Sequence, residues 1–198
     1  MATEVLEHAT DEADEQQPIR RRATIEEFWS LPESTLPAEY ISGEIIMAPS
    51  PTVPHQAVHG NLYFALRTFV QGSGLGRIYY SPLDVLLPTG EVVQPDLFFL
   101  NVKQVERVRA AKRVEVVPSF IIEILSPGSA TLDAITKREM YGKNGVREYW
   151  IVDPVEITIA QLVLKKKHYV LTELSESDVI KSAVLAGFEM KVGELLGA

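Results

Sequence analysis

Two acids embedded in apolar, strand-like runs carry the strongest chemical signal in the chain: Asp96 in VVQPDLFFL and Glu123 in PSFIIEILSP. An ionised carboxylate among aliphatic and aromatic side chains is costly to bury unless a partner compensates it. A divalent cation shared by the two acids, with a lysine close by, would be such a partner, and Lys137 lies on the next helical segment. That trio suits phosphodiester hydrolysis, which needs charge neutralised in the transition state and water made nucleophilic near neutral pH. Asp96 and Glu123 are therefore the candidate metal ligands, with a main-chain carbonyl near Ile124. Lys137 is the candidate catalytic group, orienting or deprotonating water or stabilising charge. Each also has a plainer role open to it. Asp96 can be a strand-end acid satisfied by backbone donors, Glu123 half of a buried ion pair, and Lys137 the i,i+4 partner of Asp133.

Two more residues join the catalytic candidates. Glu44, between Gly43 and two isoleucines, is another acid in apolar company and can either complete the metal site or sit as a hairpin charge. His55, at the expected start of a helix, can meet the scissile phosphate or transfer a proton, or be a polar residue near that terminus. His59, one turn on, reads as exposed, and Tyr141 as core or as support for the site. Asp84 would face Asp96 if the intervening loop had three residues centred on Gly90, but a single-residue slip changes its partner.

Composition narrows the chemistry. The chain has no cysteine, so thiolate sites are excluded and a metal must be held by oxygen or histidine, which favours Mg2+ or Mn2+. The net charge of −8 argues against a general nucleic-acid binder. Much of it, however, falls in the leader, at Glu4, Glu7, Asp11, Glu12, Asp14 and Glu15. Basic clusters remain at Lys103 to Arg113 and at Lys165 to Lys167, each readable as a solvated face or as part of a DNA footprint. No HExxH, GxSxG, Walker loop or GxGxxG occurs. No stretch has the length of a membrane span and the first residues lack a signal-peptide pattern, so the expected location is the cytoplasm.

The elements that must position these residues follow from pattern. Thr24 and Glu27 have capping-box spacing, predicting a short helix over TIEEFWSL. EYISGEIIMAP reads as a strand or hairpin. From His55 to Gln71, Val58, Leu62, Ala65, Leu66 and Phe69 recur at helical spacing. RIYYSPLDVLLP and EVVQPDLFFL flank PTGE as an antiparallel hairpin, with a basic helix or loop after it. PSFIIEIL and VREYWIVD read as buried strands either side of a helix over 133–143. The remainder is meander-like. The expected organisation is a disordered acidic leader over 1–22 and one α/β domain over 23–198, with a mixed central sheet flanked by helices.

In order and spacing, GEIIMAPSP, His55, PLDVLL, VVQPDLFFL, FIIEILSPGS, Asp133 with Lys137 and Tyr141, and GVREYWIVDP resemble the bacterial Uma-type family of endonucleases, catalogued as a domain of unknown function. The resemblance runs from about residue 24 to the C-terminus. It implies a restriction-endonuclease-like core of the PD-(D/E)xK kind, with Pro95 and Asp96 as the PD and Glu123 as the second acid. The lysine of the generic motif would fall at position 125, where this chain has Leu125. The family's usual reading moves it to the following helix, here Lys137. Two functions are then expected in competition. One is a metal-dependent DNA endonuclease; the other is an inactive binding or assembly module that keeps the fold and has lost the lysine. A homodimer is expected for either, since two-fold pairs are the commonest oligomers.

Overall fold

The computed structural model describes residues 18–32, 37–126 and 132–197. The chain begins in a sheet with β1 (Ile19–Arg22), followed by α1 (Ile25–Trp29), β2 (Ala38–Ile41), β3 (Glu44–Met47) and the long α2 (Val53–Gly72). Then come β4 (Gly76–Tyr80), β5 (Val85–Leu86), β6 (Val92–Val93), β7 (Leu97–Asn101), α3 (Val102–Val108) and β8 (Phe120–Ile124). A π-helical stretch (Leu132–Lys137) leads into α4 (Arg138–Lys143), and the chain finishes with β9 (Glu148–Asp153), β10 (Thr158–Lys165), β11 (His168–Leu174), β12 (Val179–Lys181), β13 (Glu189–Lys191) and α5 (Val192–Leu196). β1 lies inside the boundary expected at residue 23: Ile19–Arg22 pair with β3, so the ordered domain starts before that point. The acidic residues of the leader lie outside the described residues.

Local chemistry explains the elements nearest the site. Thr24 caps α1 reciprocally with Glu27. Ser42 and Gly43, both at positive φ, make the tight turn between β2 and β3. On α2, Val58, Leu62, Leu66 and Val70 form the buried stripe, and Thr52 caps its start.

The larger sheet has the order β11-β10-β9-β8-β7-β4, and it is mixed, because β8 and β9 are parallel while its other pairs are antiparallel. Side-chain alternation sends Leu97, Phe99, Phe120, Ile122 and Ile124 to the face covered by α2. It sends Phe98, Leu100 and Ile121 to the opposite face, against Met140 and Tyr141 of α4. A smaller antiparallel sheet, β1-β3-β2-β6-β5, lies beside it.

The segment 76–101 departs from the single hairpin expected. Its base, β4 with β7, belongs to the large sheet, and its tip, β5 with β6, belongs to the small one. The break falls at Ser81–Pro82 on one arm and Pro95–Asp96 on the other, where a residue without an N–H interrupts each ladder. The helix expected over 133–143 is present from Leu132, but its first six residues are π-helical. Among the described residues no helix is long and apolar enough to cross a membrane.

Candidate functional site

Register brings the two strand acids together. β7 pairs with β8 so that Leu97 faces Ile122, the last pair of their ladder, and Asp96 and Glu123 are the next residue beyond it on each chain segment. The ladder stops at Leu97, and beyond it the Ile124 N–H donates to Asp96 Oδ2 at 2.7 Å. His55, buried at the start of α2, donates from Nε2 to the same oxygen at 3.3 Å. His59 donates from Nε2 to the Asp96 carbonyl at 3.1 Å, which also receives the Ser81 N–H.

Glu123 is 4 % exposed, and its Oε1 accepts from Lys137 Nζ at 3.0 Å and from the Tyr141 hydroxyl at 2.7 Å. Lys137 and Tyr141 are four residues apart across the π-to-α junction, so one helical face delivers both. Lys137 Nζ also lies 3.0 Å from Glu39 Oε2. Glu39 stands on β2 of the small sheet and Glu123 on β8 of the large one, so a single buried ammonium ties the two sheets together. Glu39 Oε1 accepts the Gln94 N–H at 2.8 Å, and the Gln94 amide donates to Asp84 at 2.8 Å. Asp84 thus faces Gln94, not Asp96, because β5 and β6 pair with Val85 opposite Val93.

Glu39, His59 and Gln94, with four of the sequence candidates, line one cavity of about 480 Å³, walled by Pro18, Pro37, Pro49 and Pro51 and by Tyr63 and Tyr80. Of the sequence candidates, His55, Asp96, Glu123 and Lys137 are on its wall. Glu44 is not. It opens β3 opposite Ile41, two residues from Ile46, and the acid that reaches the cavity from this hairpin is Glu39. Glu39, His59 and Gln94 were the residues sequence reasoning passed over. The hairpin register pairs Glu39 with Ile46, and His59 lies one turn from His55; these are the signals that point to them. The side chain of Asp133, the expected partner of Lys137, lies outside the described residues.

Tyr141 is held as a neutral donor. Complete burial, reinforced by the charges of Glu123 and Glu39, raises its pKa well above the ordinary value of 10.0. A raised folded-state pKa contributes stability that is fully present below the unfolded value and is lost as pH rises through the folded one. Tyr141→Phe, which removes a hydrogen bond to a buried carboxylate, is expected to destabilise the protein by about 1.5–3 kcal/mol near neutrality. The gap from wild type should narrow when urea denaturation is repeated above pH ~10, where only the wild type loses this contribution. A gap that stays constant or widens with pH would contradict the assignment.

The lining offers a hard cation carboxylate oxygens. Among the described residues lining the cavity are three carboxylates, Glu39, Asp96 and Glu123, and one ammonium, Lys137, which contacts Glu39 and Glu123. Magnesium characteristically binds through one or two carboxylates while keeping several waters, and Asp96 with Glu123 meets that description. No group of three or more His, Cys, Asp or Glu side chains of metal-holding geometry occurs among the described residues, so the closed cages typical of structural zinc do not fit.

A family model, Uma2, described as "Putative restriction endonuclease", matches residues 25–193. Among solved structures, the fold matches the crystal structure of "a putative nuclease belonging to DUF820 from Anabaena variabilis ATCC 29413". The TM-score is 0.77 at 22% identity, over 88% of this chain and 97% of that one. No curated protein matches the chain.

Proposed function

Because the chain belongs to the Uma2 family and has the restriction-endonuclease-like fold, we propose that it is a divalent-metal-dependent DNA endonuclease. The observation that carries this reading is the convergence of Asp96, Glu123 and Lys137 on one cavity wall, with Lys137 Nζ 3.0 Å from Glu123. Asp96 and Glu123 would hold Mg2+ or Mn2+. When bound, the cation would neutralise phosphoryl charge and lower the pKa of water. The chain's own residues supply the rest. The Ile124 N–H and His55 fix the Asp96 carboxylate, and Tyr141 fixes Glu123. Lys137, oriented by Glu39 and Glu123, stabilises charge on the phosphoryl oxygens as water attacks phosphorus and the bond to the leaving sugar oxygen breaks.

The surroundings favour a polyanion despite the net charge. Arg20 is directly across from Ile46, which is in turn across from Glu39. All three therefore share a face of the small sheet, and Ile46 and Glu39 line the cavity. Arg20 and Arg22 are exposed on that face and give the acidic cavity a cationic rim suited to backbone phosphates. The inactive-module reading rested on Leu125 occupying the lysine slot and on the acidic net charge. Lys137 beside Glu123 supports the catalytic reading over it.

The test is direct. Purified protein should nick supercoiled plasmid with magnesium or manganese and leave it intact with a chelator; no nicking with either metal would refute the proposal. The cytoplasm remains the proposed location. A homodimer remains the proposed assembly, for which Val170 and Leu171, exposed on the edge strand β11, offer apolar surface.

A further inference from the structure

Beside the acids, α2 carries His55, His59, Tyr63 and Arg67 at four-residue steps, on one face of the helix. Their contacts form a continuous ladder leading away from Asp96. The His55 and His59 rings are parallel to within 11° with centroids 6.4 Å apart. Tyr80, at the end of the edge strand β4, meets His59 edge-on at 6.1 Å and Tyr63 edge-on at 4.9 Å. The Arg67 guanidinium lies 5.8 Å from the Tyr63 ring centre. Tyr80 is 50% exposed, so part of its ring is available to a ligand.

The shape of the cavity adds a second constraint. Glu123 and Lys137 are 4% and 5% exposed, and the approach to them is a space of about 480 Å³ edged by prolines. That size is typical of a small-molecule site and gives room for a nucleotide. A phosphate on a strand that has left the base stack suits such a space, as in enzymes that work on extruded nucleotides.

We propose that Tyr80, with Tyr63 and His59 behind it, is a stacking platform for an unpaired nucleobase next to the scissile phosphate, so that the substrate is single-stranded or locally unpaired DNA. This rests on the nuclease reading of the same cavity and adds the strandedness of its substrate. Aromatic faces accept any base, so the platform gives strand selectivity without sequence preference, while Arg67 is positioned to attract the adjoining backbone.

The experiment measures binding, not cutting. Fluorescence anisotropy of the full chain, in chelator and low salt, compares a labelled oligothymidylate of about twelve nucleotides, within the usual site size, with a hairpin duplex. The single strand should bind at least about tenfold more tightly, and Tyr80→Ala should remove about tenfold of that affinity while leaving duplex binding unchanged. Tyr80→Phe should behave as wild type, which separates loss of stacking from loss of fold. Duplex bound as tightly as single strand, or equal losses on both in Tyr80→Ala, would overturn the proposal. Selective single-strand binding without metal-dependent cutting would remove the nuclease reading and leave the platform; plasmid nicking with no strand preference in binding would do the reverse.

Discussion

Changing Glu123 to glutamine, or Asp96 to asparagine, is expected to slow metal-dependent nicking by about a hundredfold or more, the scale of losing one pre-organised group that acts on transition-state charge. The amides make this a test of charge and not of packing. A glutamine at 123 still offers an oxygen to Lys137 and Tyr141, which donate to Glu123 at 3.0 and 2.7 Å. An asparagine at 96 still offers one to the Ile124 N–H. Both variants should therefore fold, with losses of about 1–3 kcal/mol from weakened hydrogen bonds. Calorimetry should show divalent-cation binding weakened in each. Activity equal to wild type in both would mean either that a contaminant cuts or that the acids are structural. A loss confined to Glu123→Gln would leave Asp96 as the strand-end acid that backbone donors satisfy.

Why these acids were legible, and their neighbours were not, follows from what a sequence encodes. Asp96 and Glu123 stand out because an acid inside an apolar run contradicts the run's own pattern, and the contradiction needs no three-dimensional information. Lys137 was legible only through the family resemblance and the helical spacing that aligns it with Tyr141. Glu39 and Glu44 flank one turn in similar surroundings, and which of them meets Lys137 depends on how the small sheet docks against the large one, a tertiary fact. His59 looked like a surface residue because its partner is a main-chain carbonyl, Asp96 O, and a backbone acceptor leaves no mark in side-chain pattern. The split of 76–101 between two sheets was hidden for a related reason. Alternation predicts strands well, but prolines at 82 and 95 say that ladders break without saying where the chain goes next. The α/β class and the helix over 53–72 were readable because each is written in repeated local periodicity.

The largest stability effect should come from Lys137. Its side chain is 7% exposed, and its ammonium lies 3.0 Å from both Glu39 and Glu123, acids that belong to different sheets. Removing one partner from a buried ionic cluster leaves uncompensated charge, so Lys137→Met is expected to destabilise the fold by about 3–5 kcal/mol and to eliminate nicking. Lys137→Arg keeps the charge but presents a planar fork where a compact ammonium sat. It should regain part of the stability without regaining the activity. The decisive variant is the double substitution Lys137→Met with Glu39→Gln. If stability is lost because two carboxylates are left facing one another, neutralising Glu39 must restore a substantial part of it, and the two substitutions must be strongly non-additive in a double-mutant cycle. If the lysine matters mainly through the packing of its aliphatic stem, methionine already replaces that stem and Lys137→Met should differ little from wild type in urea. Activity should stay absent in the double variant under either account of stability, because the cationic group proposed to act on the phosphoryl oxygens is gone; nicking restored together with stability would show that Lys137 holds the two sheets together and takes no part in the chemistry.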